Sequence, residues 1–347
     1  MKSNDITVVV QGAIDKNLTQ KCLKSIRKYL PDAEIILSTW EGAQLEGLDY
    51  DILVLNKDPG GCKHDFVIYN KPRSMNNFNR QLVSTKNGIL KASQKYCLKL
   101  RSDLILTNSN FLKYWDKFGI RNPKYKIFKH RILCSSVYSR EYSCHCGTGL
   151  PILFHPSDFW FFGLTEDLKD YIINCPLQTK EEGGNWNFKY PNRLPYLTAL
   201  WRYAPEQFFC INWVKKYYPN LQYEDLSDWN AENIELSNNI LYNNFIFLGY
   251  KQSGIFSEKH AWGFTNETKI RGLITFNHFQ EQYKNYCDTE YKISKYKNYT
   301  FKLKQHFERL TLPFRCIKSW ISEIFSVLYY ATLALIQIFN RKKKNDI

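Results

Sequence analysis

The hydrophobic positions fall into short unbroken runs closed by turn signals, and into longer segments with helical spacing. Residues 6–10, ITVVV, form a continuous β-branched run, the pattern of a strand buried on both faces, and Gln11-Gly12 ends it. From Thr19 onward, Cys22, Leu23, Ile26 and Leu30 recur at three- and four-residue steps until Pro31 stops them, which predicts a helix. Two further buried strands follow: AEIILSTW, residues 33–40, closed by Glu41-Gly42, and DILVLN, residues 51–56, closed by DPGG. After NNFNR, residues 76–80, an apolar stripe of Leu82, Val83, Ile89 and Leu90 predicts a second helix, which leads into KYCLKLRSDLIL, residues 95–106. The first third therefore reads β-α-β-β-α-β, the alternation of a largely parallel sheet with helices on its faces.

Three of these strands end in polar or glycine-bearing turns, QG, TWEG and RSD. In a parallel sheet all three ends lie on one rim, where open α/β sheets bind ligands. A carboxylate at that rim, Asp103, can hold a divalent metal that takes a diphosphate, or it can simply cap the next turn. Asn79 and Arg80 sit near a helix start, where backbone N–H groups and a guanidinium suit a diphosphate. A solvated helix-start role for Arg80 stays open beside that one.

Beyond Phe111 the texture changes. Residues 121–140 are rich in Lys and Arg with hardly an acid, which fits either a solvated face or one wall of an anion cleft. In HPSDFWFFGL, residues 155–164, Asp158 is either an acceptor-binding carboxylate beside aromatic rings or a cap above core packing. Residues 180–196, rich in Gly, Asn and Pro, read as a surface loop or lid. Pro205 and Glu206 open a helix through FFCINWVKKYY; Glu206 suits a helix start, and equally a general base held over a cleft. Residues 236–256 give no clear element. The uncharged run 324–339 has 16 residues, fewer than the roughly 20 of a spanning helix, and RKKK follows it. A helix lying on an anionic leaflet fits better than a crossing. The expected organisation is a main domain over 1–310 and a basic, apolar helical tail over 311–347.

Lys and Arg outnumber Asp and Glu 48 to 33, a formal charge of +15, which points to anionic partners: nucleotide diphosphates, acidic glycans or a lipid surface. No zinc-finger spacing or RNP aromatic signature accompanies the charge, so nucleic acid is not an expected partner. Aromatic residues make up 16 %, a content that suits sugar-stacking surfaces as well as a core. The ten cysteines lie mostly singly in apolar runs, as in Cys22, Cys97 and Cys210, and read as buried thiols of a reducing compartment. Cys144, His145 and Cys146 are too tightly spaced for a zinc site. The N-terminus, MKSNDITVVVQG, has no apolar stretch of signal-peptide length, so the expected location is cytoplasmic, peripheral to the inner membrane.

The segments ITVVVQG, LPDAEIILSTWEG, LDYDILVLNKDPG, NNFNRQLVSTKNGI, KLRSD, HPSDFWFFGL and PEQFF, in that order, resemble the WavE family of lipopolysaccharide synthesis proteins over about residues 6–215. The resemblance implies a GT-A-like glycosyltransferase building bacterial lipopolysaccharide core, O-chain or capsule from a nucleotide-sugar and a glycan or lipid-linked acceptor. It implies Gln11 and Glu41 near the base or ribose, Asn79 and Arg80 near the diphosphate or sugar, Gly12 and Arg101 also in the nucleotide-sugar site, and Asp103 on a metal (Mn2+ or Mg2+) or the sugar. Asp158 and Glu206 would hold and deprotonate the acceptor. GT-A enzymes carry Asp-x-Asp where this chain has Arg101-Ser102-Asp103, which leaves metal dependence open and Arg101 as an alternative charge partner. A non-catalytic, membrane-peripheral scaffold of glycan assembly is the competing reading.

Overall fold

The computed structural model describes residues 1–63, 75–142, 151–186, 201–226 and 228–293, with scattered positions between 299 and 332. Cys144, His145 and Cys146, most of the 180–196 loop and most of the 324–339 run lie outside the described residues.

The first strand, β1 (Ile6–Gln11), is fully buried and forms the spine. On one side it pairs in parallel with β2 (Glu34–Trp40), which pairs in parallel with β3 (Ile52–Asn56). On the other it pairs in parallel with β4 (Tyr96–Arg101). The two-residue strand β5 (Ile105–Leu106) follows β4 directly. Beyond β4 the sheet becomes mixed. Two further members are β6 (Ile132–Ser135) and β9 (Trp160–Leu164), separated in sequence by the small ribbon of β7 (Arg140–Tyr142) and β8 (Pro151–His155). The edge strand, β10 (Phe245–Leu248), pairs in parallel with β6, while β9 runs antiparallel to both β4 and β6. The seven-stranded order is β10-β6-β9-β4-β1-β2-β3. The expected α/β class with a mostly parallel sheet is present, and the single reversed strand is β9.

Helices cover the sheet for local reasons. Helix α1 (Lys16–Tyr29) starts earlier than its apolar stripe suggested, because Asp15 caps it by accepting from the N–H groups of Asn17 and Leu18 at 3.1 and 3.0 Å. Helix α2 (Phe78–Lys91) buries Phe78, Leu82 and Ile89, whereas Leu90 faces solvent and Val83 is half-buried. At Gly88 this helix lies so close to the sheet that a Cβ would sit 2.4 Å from Val9 Cγ1. Helix α3 (Thr165–Ile173) follows β9, and the helix Pro205–Tyr217 has Pro205 at its first position, as its sequence promised.

The stretch without a clear sequence signal, 236–256, consists of helix Ala231–Asn244, then β10, then a short turn of helix, Tyr250–Ser253. Its asparagines are buried and hold main chain: Asn243 Oδ1 accepts from Asn122 N at 2.7 Å, and Asn244 Oδ1 from Ile127 N at 2.8 Å. The same packing decides the role of two arginines in the basic stretch 121–140. Arg131 is buried and donates to the carbonyls of Phe118, Ile120 and Tyr242, and Arg121 donates to those of Phe128 and Lys129. These two arginines staple a loop. Cys22, Cys97 and Cys210 are free, buried thiols, as expected.

Candidate functional site

The strand ends form the rim that the turns predicted. The register levels Gln11 with Ser38 on one side and Arg101 on the other. Because β9 is reversed, its start, not its end, lies at this rim: Trp160 pairs with Leu100, so Asp158 and Phe159 stand beside Arg101. One antiparallel strand thus brings a carboxylate from the middle of the chain to the ends of β1 and β4.

A cleft of about 890 Å³ opens over the rim. Gln11 and Gly12 line it at the end of β1, Trp40 at the end of β2, and Arg101, Ser102 and Asp103 at the end of β4 and just past it. Helix α2 adds Asn77, Arg80, Gln81 and Ser84, an i, i+3, i+4, i+7 set that forms one helical face. Gly12 has a φ of +119°, which favours glycine, and a Cβ there would approach Ser102 Oγ to 3.3 Å. Ser102 in turn donates to Ala13 O at 2.7 Å, and Gln11 accepts from Ser84 Oγ at 2.7 Å, so the floor is fixed by hydrogen bonds.

Both guanidiniums in the cleft are held by carboxylates. Arg80 Nε and Nη2 each reach Asp58 at 2.8 Å, while Nη1 reaches Asn77 Oδ1 at 2.8 Å. That pairing lowers the Asp58 pKa and raises that of Arg80. Arg101 makes a two-point contact with Asp103, Nε to Oδ1 at 3.0 Å and Nη2 to Oδ2 at 2.6 Å, and its guanidinium lies 4.4 Å from the Phe159 ring centre.

A second hollow of about 310 Å³ adjoins the first, sharing Asn77, Gln81 and Arg101 with it. Asp158, Glu206, Phe159 and Trp201 are among its other lining residues. Glu206 carries its proton more tightly than an ordinary glutamate, chiefly because it is desolvated and next because of the Asp158 charge. His155 Nε2 stands 3.7 Å from Glu206, but burial and Arg140 push this imidazole down to about 3, so it is neutral near pH 7. Beneath them the buried Lys99 donates to the Asp158 carbonyl, with its pKa lowered to about 8 by desolvation. The arrangement can hold a polyanion in the larger cleft and a polar molecule against two carboxylates in the smaller one.

A family model described as WavE lipopolysaccharide synthesis matches residues 6–312. The chain belongs to the WavE family. No curated protein matches it. The WavE match runs well beyond residue 215, where the resemblance read from the sequence stops, and takes in the chain up to residue 312.

In this WavE chain the structure brings together seven of the nine residues marked from sequence. Gln11, Gly12, Arg80, Arg101 and Asp103 line the larger cleft, and Asp158 and Glu206 the smaller. Asn79 does not face either hollow. It is buried, donates to Gln178 O at 2.9 Å and accepts from Gln178 N at 2.7 Å, a structural clasp. Glu41 is exposed on the turn after β2, and its neighbour Trp40 lines the cleft instead. The sequence reading missed Asn77, Gln81 and Ser84, although the polar face of α2 was there to be read. It also missed Lys259, which no local pattern marks. As for a divalent metal, no three potential ligands converge among the described residues, and both oxygens of Asp103 already accept from Arg101. The protein side chains alone therefore make no closed ion site there.

Proposed function

We propose that the protein is a glycosyltransferase of GT-A-like layout that moves a sugar from a nucleotide-sugar to a glycan or lipid-linked glycan acceptor in bacterial surface-glycan synthesis. The observation that carries this reading is the pair of hollows meeting at Asn77, Gln81 and Arg101, the larger with Arg80, Arg101 and Lys259 in its lining and the smaller with Asp158 and Glu206. The nucleoside diphosphate occupies the larger cleft, and the acceptor sugar packs against Trp201 with a hydroxyl at Glu206 and Asp158. That hydroxyl oxygen forms a bond to the anomeric carbon, the carbon–phosphate oxygen bond breaks, and the electron pair leaves on the diphosphate. The hydroxyl proton passes to a carboxylate. Glu206, made more basic by burial and Asp158, suits that transfer near neutral pH. Arg101 and Arg80 stand where charge grows on the leaving group.

An acceptor carried on lipid calls for an enzyme at a membrane surface. Among the described residues no helix is long and apolar enough to cross a membrane. Yet Leu303, Phe307, Leu310, Phe314, Ile317, Ile321, Ile324 and Leu328 recur at four- and three-residue steps, and each is at least half exposed. Residues 292–347 carry twelve Lys and Arg against three Asp and Glu. An apolar stripe flanked by cations suits an anionic lipid leaflet on the cytoplasmic side.

The test is nucleotide release and thermal stabilisation across a panel of nucleoside-diphosphate sugars, with Glu206→Gln and Asp158→Asn alongside. Stabilisation by one nucleotide class, with release lost in the variants, supports the transferase. A chain that no donor stabilises, and whose cellular role survives both substitutions, is a scaffold instead.

A further inference from the structure

Lys259 reaches the rim by a route that only the fold reveals. Strand β11 (Ile255–Phe256) pairs antiparallel with β5, which starts two residues after Asp103, and so carries the next turn to the end of β4. The turn is anchored on both sides of Lys259. Glu258 pairs with Lys21 of α1 at 2.8 Å, and His260 N donates to the buried Ser257 Oγ at 3.2 Å. The His260 ring packs 5.3 Å from Phe159, the same ring that carries Arg101. Phe264 also stacks on Phe159, at 5.8 Å.

The cleft lining holds three cations, Arg80, Arg101 and Lys259, and two carboxylates, Asp15 and Asp103. Arg80 is matched by Asp58, and Arg101 by Asp103, while Asp15 is spent on the start of α1. Lys259 alone among the three cations has no carboxylate within ion-pair distance among the described residues.

We propose that Lys259 completes a metal-free diphosphate subsite, binding the nucleoside diphosphate directly with Arg80 and Arg101. The inference rests on the glycosyltransferase reading and adds to it the way the leaving group is held. A diphosphate placed between the three finds two planar guanidiniums oriented by their carboxylates and one uncommitted ammonium, whose positive charge is free to face the anion.

The experiment is calorimetric titration of the full chain with UDP, GDP, ADP and dTDP in EDTA, then with added Mn2+. The proteins are the wild type, Lys259→Ala, Lys259→Arg and, as a control, the exposed Lys113→Ala. Wild type and Lys113→Ala are expected to bind one nucleoside diphosphate in EDTA. Lys259→Ala should bind it about tenfold or more weakly, the loss expected of a charge-assisted contact, with Lys259→Arg recovering most of the affinity. The matching uncharged nucleoside should not distinguish the variants. Thermal unfolding without ligand confirms that each variant is folded. Equal affinity for wild type and Lys259→Ala, or binding that requires Mn2+, overturns the inference and leaves the glycosyltransferase reading standing. A wild type that binds no nucleoside diphosphate under either condition overturns both.

Discussion

Asn77 and Asn79 are two residues apart and have opposite fates, because a step of two in a helix turns the side chain by about 200°. Asn77 borders both hollows, whereas Asn79 is turned inward onto Gln178. Asn79→Ala should therefore cost about 1–3 kcal/mol in urea unfolding, since it strips partners from buried main chain, and leave nucleotide affinity of the folded protein unchanged. Asn77→Ala should do the reverse. Glu206 links the site to pH. Its raised pKa means that the folded chain keeps a proton that the unfolded chain has released, so this residue makes stability fall as pH rises from the ordinary glutamate range to the raised value. Glu206→Gln should flatten that slope in unfolding measured from about pH 4 to pH 9, and lower transfer by about 10²–10⁴-fold. A loss of transfer with the slope intact would mean that Glu206 is not the group titrating there.

At the scale of elements, the contact between α2 and the sheet sets the depth of the larger cleft. Gly88→Ala pushes a methyl against Val9, so it should destabilise the protein by about 1–3 kcal/mol and weaken nucleotide binding, because Arg80, Gln81 and Ser84 ride on the same helix. Unchanged stability would show that the helix can lift off without cost. This dependence on elements explains what could be read from the chain alone. The rim was legible because β1, β2 and β4 are largely apolar, strand-forming runs whose ends are marked by QG, WE and RSD, and a parallel sheet must align such ends. The role of Asp158 was visible as chemistry but not as place: its position follows from β9 running backwards, which FWFFGL does not announce. Arg121 and Arg131 looked like a charged face, yet Arg131 is buried and Arg121 half-buried, both tied to main-chain carbonyls of a loop that asparagines far along the chain also hold. Lys259 was illegible, since strands of two residues leave no periodicity to detect.

For the whole molecule, the charge and the apolar stripe of the 299–332 stretch are expected to act together. The paired substitutions Phe307→Asp and Phe314→Asp should abolish co-sedimentation with vesicles rich in phosphatidylglycerol while leaving nucleotide affinity intact. Wild-type binding should weaken as salt rises, and salt-independent binding would argue for the stripe alone. The pairing of β11 with β5 has a consequence in time as well. It joins Phe256 to Ile105 and Ile255 to Leu106 across some 150 residues of chain, a loop whose closure is entropically among the costliest here, whereas β1, α1 and β2 are near neighbours. The parallel half of the sheet can therefore assemble before the Lys259 turn arrives, and a refolding or newly made chain has its scaffold before it has a complete grip on its donor.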